Sequence, residues 1–477
     1  MKQTISAILS ALLLGISLPL SAQANELPIL GDSSSNIISL DEEHRLGSAW
    51  VRILRAQAPL LNDPLTYSFV KELLQRLSVY SPLQDRRLTL VIIENNSLNA
   101  FAVPGGIIGV NSGLFLYSAT ESEFASVLAH ELSHLSQRHY AQRLAEEQKS
   151  LPLQLATTLA GILLMAAADG QAGMATIMGG QAAAAERSLA FSRSNEQEAD
   201  RVGMQVLVDT GYDPSAMPRM FSQLQRSLSN LGQKPPEFLL THPVTESRIA
   251  DALNRSAQLP NHGTVNSLSY QILRTRVQVL ALNNDNAAYQ RYRDAVADQA
   301  SEANRYGLAY SALRSGRYPL AQQQLDSLLK QDPNRLSFRL LQSELWLAAN
   351  EVDRASEQLQ QLLEIYPNSH PITMLLAQAF HQQGAHQQVV ELLQYHSRAY
   401  PDDVELWYQL AEAYGLVNNI KGVHLARAEH FLLIAAVPKA KQHLKLALKQ
   451  EGVSEHEQLL IKQRLKDADA IQASLNF

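Results

Sequence analysis

Residues Val127–Arg138 read VLAHELSHLSQR and contain His130-Glu131-Leu132-Ser133-His134, an HExxH motif. Residues four apart on a helix stand one turn above each other on the same face. His130 and His134 can therefore close on one small ion, and tetrahedral zinc suits two imidazoles. Glu131 lies about 100° further round the helix. It is badly placed as a ligand and well placed to take a proton from a metal-activated water. The flanks predict a helix. Thr120 and Glu123 read as a capping box. Phe124, Val127, Leu128, Leu132 and Leu135 recur at helical spacing, which predicts a buried amphipathic helix. Continuing that helix puts His139 on the opposite face from His130, where it is expected to be a surface histidine.

Zinc on HExxH needs another protein ligand. The extended HExxHxxGxxH form is absent, because Gln137 and Tyr140 occupy its Gly and His positions. The remaining route is a Glu on a second helix. Ser194–Asp209, SNEQEADRVGMQVLVD, reads as that helix, with Ala199, Val202, Val206 and Leu207 at core spacing and Gly211 just past its end. Glu196 and Asp200 are four apart and share a face. Glu196 is the candidate ligand. Asp200, one turn on, is a candidate to hold an imidazole or to donate a proton near the metal. Glu198 sits about 200° round from Glu196 and is expected to face solvent. Without HExxH upstream, the two carboxylates would read as a solvated pair.

Upstream of the motif lies a small sheet. Leu88–Ile93 (LTLVII), Asn99–Val103 (NAFAV) and Ile107–Val110 read as strands, with Pro104-Gly105-Gly106 as a tight turn. Asn99, Phe101 and Val103 are the candidate substrate strand, since an extended peptide can pair with an open strand edge. The competing reading is a sheet that is only core. Before it, Leu40–Ala56 and Thr66–Leu77 show apolar spacing near 3.6 and predict two helices packed on the metal helix.

Length and composition bound the rest. The 477 residues allow two or three domains, and 46% hydrophobic with 18% charged residues suits a folded chain with a large core. A net charge of −6 argues against nucleic acid as a partner. The absence of cysteine removes disulfides, thiolate metal sites and a Cys nucleophile, so any metal must use His and carboxylates. Residues 1–24 combine Lys2, an apolar run and small residues at Ala22 and Ala24, which predicts a cleaved signal peptide and a periplasmic destination. Leu151–Ala168 carries no charge. A single crossing there would separate Glu196 from the two histidines by a bilayer. The stretch 151–185 is therefore expected to form a buried or membrane-skimming helical pair, with peripheral membrane contact, rather than a spanning hairpin.

The tail is a repeat. Pro333, Pro367 and Pro401 are each 34 residues apart, and Ala321, Ala355 and Val389 keep the same period. Gly307, Leu308, Tyr310, Ala312, Gly316 and Tyr318 complete a tetratricopeptide pattern. Such helix pairs stack into a solenoid, whose concave face is expected to bind protein. Tyr270–Ala297 reads as a degenerate opening copy. Lys439–Lys449 resembles Leu320–Lys330 but lies half a repeat out of phase, which predicts an unpaired helix between Trp407 and Ala440. Glu455–Ser474 is expected to cap the array. The nine histidines from His262 onward show no ligand spacing and are expected on the surface or in the groove.

HELSH at 130–134, NEQEAD at 195–200 and NAFAVPGG at 99–106, in this order, resemble the zinc endopeptidase family that includes the CAAX prenyl protease and the heat-shock membrane protease. The resemblance covers residues 40 to 250 by motif. It implies zinc on His130, His134 and Glu196, Glu131 as general base and Asp200 in a supporting or proton-donating role. Thr241-His242-Pro243 followed by Arg248 also fits the pattern. His242 is a candidate to stabilise an oxyanion, to cap the open position of the metal and keep the enzyme latent, or merely to cap the next helix.

The expected architecture is mainly α. An α+β zinc-protease domain with a small sheet (25–260) precedes an all-α tetratricopeptide solenoid (261–477). The expected activity is zinc-dependent endopeptidase. For an exported member with a repeat tail, the resemblance implies misassembled outer-membrane proteins as substrates. It also implies docking on the barrel-assembly machinery through the repeats. Substrates of the membrane-integral relatives do not carry over. The alternatives are a chaperone or adaptor with a latent metal site, and a binding protein with no metal.

Overall fold

The computed structural model describes residues 38–146, 192–228 and 237–475. The expected signal peptide and the stretch 151–185, with its uncharged run 151–168, lie outside them. Among the described residues no helix is long and apolar enough to cross a membrane.

The chain opens with helices α1 (Leu40–Gln57) and α2 (Pro64–Tyr80). Ser39 and Glu42 form a full capping box on α1, and Asp63 caps α2 ahead of a Pro at its first turn. Strands β1 (Thr89–Ile93), β2 (Ala100–Val103) and β3 (Ile107–Asn111) follow, then the short α3 (Gly113–Tyr117). The sheet order is β1-β3-β2, with β1 parallel and β2 antiparallel to β3. Gly105 and Gly106 adopt positive φ in the β2–β3 turn, and a side chain at Gly105 would run into the α1 backbone at Glu43.

Alternation along the strands splits the core into two layers. Val91, Ile93, Phe101, Val103 and Ile107 pack on Trp50 and Leu54 of α1. Leu90, Ile92, Ala100, Ala102, Ile108 and Val110 face α2 and α4 (Glu121–Ser136), the helix that carries HExxH. Every residue from Glu121 to His134 is buried, so α4 is enclosed all round rather than presenting one wet face. Thr120 accepts from the Glu123 amide as expected, but the Glu123 carboxylate reaches one residue further back, to the Ala119 amide at 2.7 Å.

Helix α5 (His139–Glu146) follows α4 after a break. Then come α6 (Arg193–Asp209), α7 (Ala216–Leu228), α8 (Glu237–Thr241) and α9 (Glu246–Ser256). Helix α6 lies along α4. Gly203 permits this, since a Cβ there would stand 3.3 Å from the Ala129 backbone and 3.1 Å from Met217 Cε.

Twelve further helices, among the described residues, form six consecutive pairs. They are α10 (Leu268–Ala281), α11 (Asp285–Asp298), α12 (Glu302–Arg314), α13 (Tyr318–Gln331), α14 (Leu336–Ala348), α15 (Val352–Ile365), α16 (His370–Gln382), α17 (His386–His396), α18 (Val404–Leu416), α19 (Ile420–Leu433), α20 (Val437–Leu448) and α21 (Glu455–Leu475). The expected unpaired helix is not found. Helix α19 packs on α18 before it and α20 after it. The half-repeat offset arose because Ala440 sits on the first helix of a pair and Ala321 on the second. The period of 34 runs on through Val423.

The solenoid holds the first part of the chain at three places. Tyr270, Leu273 and Val277 of α10 enter the same core as Phe115 and Phe124. Helix α16 lies on α2, and α19 and α21 return to α1, where Arg52 Nε donates to the Leu432 carbonyl of α19 at 3.1 Å. At the middle contact, His370 and His396 are buried, where the expectation was the surface or the groove. His370 sits 2.9 Å from Asp403 through Nε2 and 3.0 Å from His396 through Nδ1, with both rings stacked on Tyr400. Simple spacing cannot reveal a partner supplied by a later loop.

Burial, and then the His370 ring, push His396 down to about 4 from 6.5. The unfolded chain therefore binds a proton that the fold refuses. The contribution of this ring to stability is full above about pH 6.5 and is lost as pH falls towards 4. Allowing for partial screening, the loss is roughly 1–3 kcal/mol. His396→Phe is expected to flatten the decline in urea midpoint between pH 7 and 5. An unchanged slope would show that His396 does not carry it.

Candidate metal centre

Helix α4 supplies His130 and His134 one turn apart, and α6 brings Glu196 across from them. His242 enters from the end of α8. These four buried residues offer ligand atoms all within 4.8 Å of one another. The Nε2 atoms of His130 and His134 are 3.1 Å apart. Glu196 stands 3.5 Å from the first through Oε2 and 3.4 Å from the second through Oε1. His242 Nδ1 is 3.4 Å from His130 Nε2 and 2.9 Å from Glu196 Oε1.

A metal at ~2.0–2.1 Å from each donor of a tetrahedron sets the donors ~3.3 Å apart. The separations bracket that value, so the residues fit a small tetrahedral cation. Two facing imidazole nitrogens cannot both donate to each other and both accept, and a cation between them removes the conflict. Nitrogen and carboxylate donors without thiolate are compatible with zinc.

A carboxylate and a guanidinium stand at the outer edge of His130. His130 Nδ1 lies 3.0 Å from Asp200 Oδ1, and Arg248 clamps Asp200 through Nε and Nη2 at 2.8 and 2.7 Å. Arg248 Nη1 also reaches Glu196 Oε2 at 2.6 Å and the Pro243 carbonyl at 2.8 Å. One guanidinium thus ties the carboxylates of α6 to the loop after His242. Arg248 was visible in the sequence only as part of a family pattern, and its contacts were not.

Charge follows this wiring. Burial disfavours a charged His130, but Asp200 and Glu196 outweigh it and hold the metal-free ring up at about 9. Burial drives His134 well below the usual imidazole range, with Glu196 opposing. Burial likewise opposes the Glu196 charge, yet His242, His130 and His134 hold its carboxyl well below the carboxylate range.

Glu131 is fully buried, and among the described residues neither of its oxygens closes a hydrogen bond. Burial pushes its carboxyl up, with His242 and His130 pulling it down. His242 Nε2 is 3.5 Å from Glu131 Oε1. The Ala102 amide also favours the Glu131 charge. Strand β2 is an edge strand that faces α4. The Asn111 amide donates to the Asn99 carbonyl at 3.0 Å, so by the period of two Asn99, Phe101 and Val103 turn their main-chain groups inward to β3. The main-chain groups of Ala100 and Ala102 point to the unpaired side of β2, whereas those of the expected set, Asn99, Phe101 and Val103, are turned to β3. Phe101 packs on Trp50 instead, with ring centroids 5.8 Å apart.

His139 is also corrected. It is buried, with Nδ1 2.9 Å from His134 Nδ1 and Nε2 3.5 Å from Glu198 Oε2. The helix does not continue, because Arg138 turns left-handed at φ 52 and pairs with Glu43 at 2.8 Å. Glu198 is accordingly half-exposed and in contact with His139 rather than fully solvated.

Residues 64–256 match Peptidase family M48, and residues 312–379 match the tetratricopeptide repeat. The beta-barrel assembly-enhancing protease of Escherichia coli (strain K12) is 33% identical over 457 residues, 94% of this chain and 92% of the relative. The chain belongs to the family of the beta-barrel assembly-enhancing proteases. The Yersinia pestis member is 35% identical over 448 residues, 91% of each chain. The mitochondrial metalloendopeptidase OMA1 of Schizosaccharomyces pombe is 28% identical over 230 residues, 47% of this chain and 64% of the relative. The family is one of metalloendopeptidases, and this chain is a metalloendopeptidase followed by tetratricopeptide repeats.

Proposed function

We propose that the chain is a zinc endopeptidase whose ion is held by His130, His134 and Glu196, with Glu131 as the general base. The donor spacing around His130, His134 and Glu196 carries this reading, together with the unbonded Glu131 carboxylate beside it. Zinc bound there would lower the pKa of a water towards ~7 and polarise a substrate carbonyl. Glu131 accepts the water's proton, being both buried and raised in pKa, and returns it to the leaving amine. Asp200 orients His130 and keeps its Nε2 turned inward. Its bidentate contact with Arg248 favours this supporting part over proton donation. A substrate strand pairs with Ala100 and Ala102 on the open β2 edge, which sets its carbonyl beside Glu131.

His242 occupies a fourth corner of the donor set, where a water must stand. We read it as a cap that holds the resting enzyme latent and must swing out for catalysis. His242→Ala is expected to raise basal casein cleavage several-fold at equal zinc content. Unchanged activity and unchanged zinc affinity would dismiss the cap.

The relatives' names point to the assembly of beta-barrel proteins. We assign the enzyme to the periplasm, 1–24 being its signal peptide, 25–260 its protease domain and 261–477 its repeat domain. Its substrates are misassembled outer-membrane proteins, and its repeats dock on the barrel-assembly machinery. Metal analysis with casein digestion tests the core of this reading. One zinc per chain and cleavage abolished by a chelator are expected, and a wild-type chain without stoichiometric metal would overturn it. The buried His242 also favours a second role, as an adaptor for barrel assembly that does not need cleavage.

A further inference from the structure

His139 has no part in the mechanism above, yet it is enclosed and points at the outer edge of His134. We propose that His139 is a positioning residue for the metal. It accepts the His134 Nδ1 proton on its own Nδ1 and passes the constraint to Glu198 through Nε2. The inference rests on the reading that His134 binds zinc.

A metal on His134 Nε2 fixes the protons of two neutral facing rings. His134 turns Nε2 to the cluster, 3.1 Å from His130 Nε2 and 3.4 Å from Glu196 Oε1. A nitrogen that gives its lone pair to a metal carries no proton, so the proton of neutral His134 sits on Nδ1. That atom is 2.9 Å from His139 Nδ1, a hydrogen-bond distance. One of two facing ring nitrogens must accept, and here it is His139. Its own proton then lies on Nε2, which faces Glu198 Oε2 at 3.5 Å. The result is a file of Glu198, His139, His134 and metal.

Metal-bound imidazoles gain affinity when an outer partner fixes their tautomer and ring angle. The two histidines of HExxH solve this differently. His130 uses a carboxylate, Asp200, at 3.0 Å. His134 uses another imidazole, backed by a half-exposed carboxylate. The position of His139 is built in, not incidental. The left-handed Arg138, anchored on Glu43 and on the Ile38 carbonyl, folds the chain back so that the next residue meets His134.

Zinc dissociation constants of the full chain test this, by competition with a chromophoric chelator. His139→Leu keeps the volume but has no acceptor, and is expected to weaken zinc about 10–100-fold. His139→Asn places an acceptor oxygen near the position of Nδ1 and is expected to restore affinity to within a few-fold of wild type. A purely packing role predicts the reverse order, with Leu the better replacement, and that result would overturn the proposal. So would equal losses in both variants. Long-range proton–nitrogen correlation on the zinc-loaded wild type decides without mutation, even where His139→Leu does not fold. A proton on His139 Nε2 supports the file, and a proton on its Nδ1 refutes it. Failure of the wild type itself to bind zinc would fall on the proposed function instead.

Discussion

Glu131→Gln is expected to lose about 10²–10⁴-fold or more in peptide hydrolysis while zinc stoichiometry stays at wild type. The two effects separate because of where the carboxylate stands. Glu131 is outside the donor set of His130, His134, Glu196 and His242, so the amide leaves that set intact. It is inside proton-transfer reach of the same pocket, 3.5 Å from His242 Nε2. Glutamine preserves shape and burial but cannot accept a proton. Neither Glu131 oxygen has a hydrogen-bond partner among the described residues, so the substitution removes only the charge that faces His242 and His130 and should leave the fold unchanged. A neutral side chain at a fully buried site is if anything less costly than a charged one, and the urea midpoint should hold or rise slightly. Casein digestion with paired metal analysis checks this. A Gln variant that cleaves at wild-type rate would remove Glu131 from the chemistry. A variant that is inactive because it has lost zinc would mean that the carboxylate belongs to the donor set. If the inactive, zinc-loaded variant still supported barrel assembly in cells, the adaptor role would be the main one.

The site was legible where chemistry repeats at helical spacing. His130 and His134 four apart, and Glu196 with Asp200 four apart, read as two faces that had to meet, and they do. What spacing cannot report is where a helix stops. His139 was placed by continuing α4, and one left-handed residue, Arg138, invalidated the projection. The strands were read within a residue of their ends, but which half of β2 meets the open edge depends on pairing with β3. Phase alone leaves that choice between Asn99, Phe101, Val103 and Ala100, Ala102. In the repeats, the period was plain and the assignment of Ala440 to the wrong helix of its pair was not, since both helices bury small residues. His370 and His396 read as surface or groove histidines because the partners that cover them, Asp403 and Tyr400, belong to a loop outside any local pattern. Sequence pattern thus reports faces of single elements, and the errors gather where a loop supplies the partner.

Arg276→Ala is expected to cost about 3–5 kcal/mol of stability. Arg276 is buried on α10, between the protease core and the repeats. Its Nε meets Asp63 Oδ1 at 2.8 Å, its Nη2 meets Glu344 Oε1 at 2.8 Å, and its Nη1 donates to the Tyr306 hydroxyl at 3.2 Å. The guanidinium also lies 4.3 Å over the Tyr310 ring. Burial opposes its charge, but Asp63 and Glu344 outweigh this and hold it protonated. Truncation would strand the Asp63 carboxylate away from water and leave the partly exposed Glu344 without its cation. Asp63 also accepts the Thr66 amide at 3.2 Å and so caps α2, the helix on which α16 rests. The damage should therefore appear at both ends of the network. Urea unfolding would show a lower midpoint, and amide exchange would rise at the start of α2 and in α14. The cause is testable by removing the stranded charges. Combining Arg276→Met with Asp63→Asn, which still caps, and Glu344→Gln should recover most of the loss. The reason is that a buried ion network replaced as a whole by neutral groups of similar volume is often no less stable. A triple variant as unstable as Arg276→Ala would mean that packing of the guanidinium, not unpaired charge, holds the two parts of the chain together. An unchanged midpoint for Arg276→Ala would show that this network does not fasten them at all.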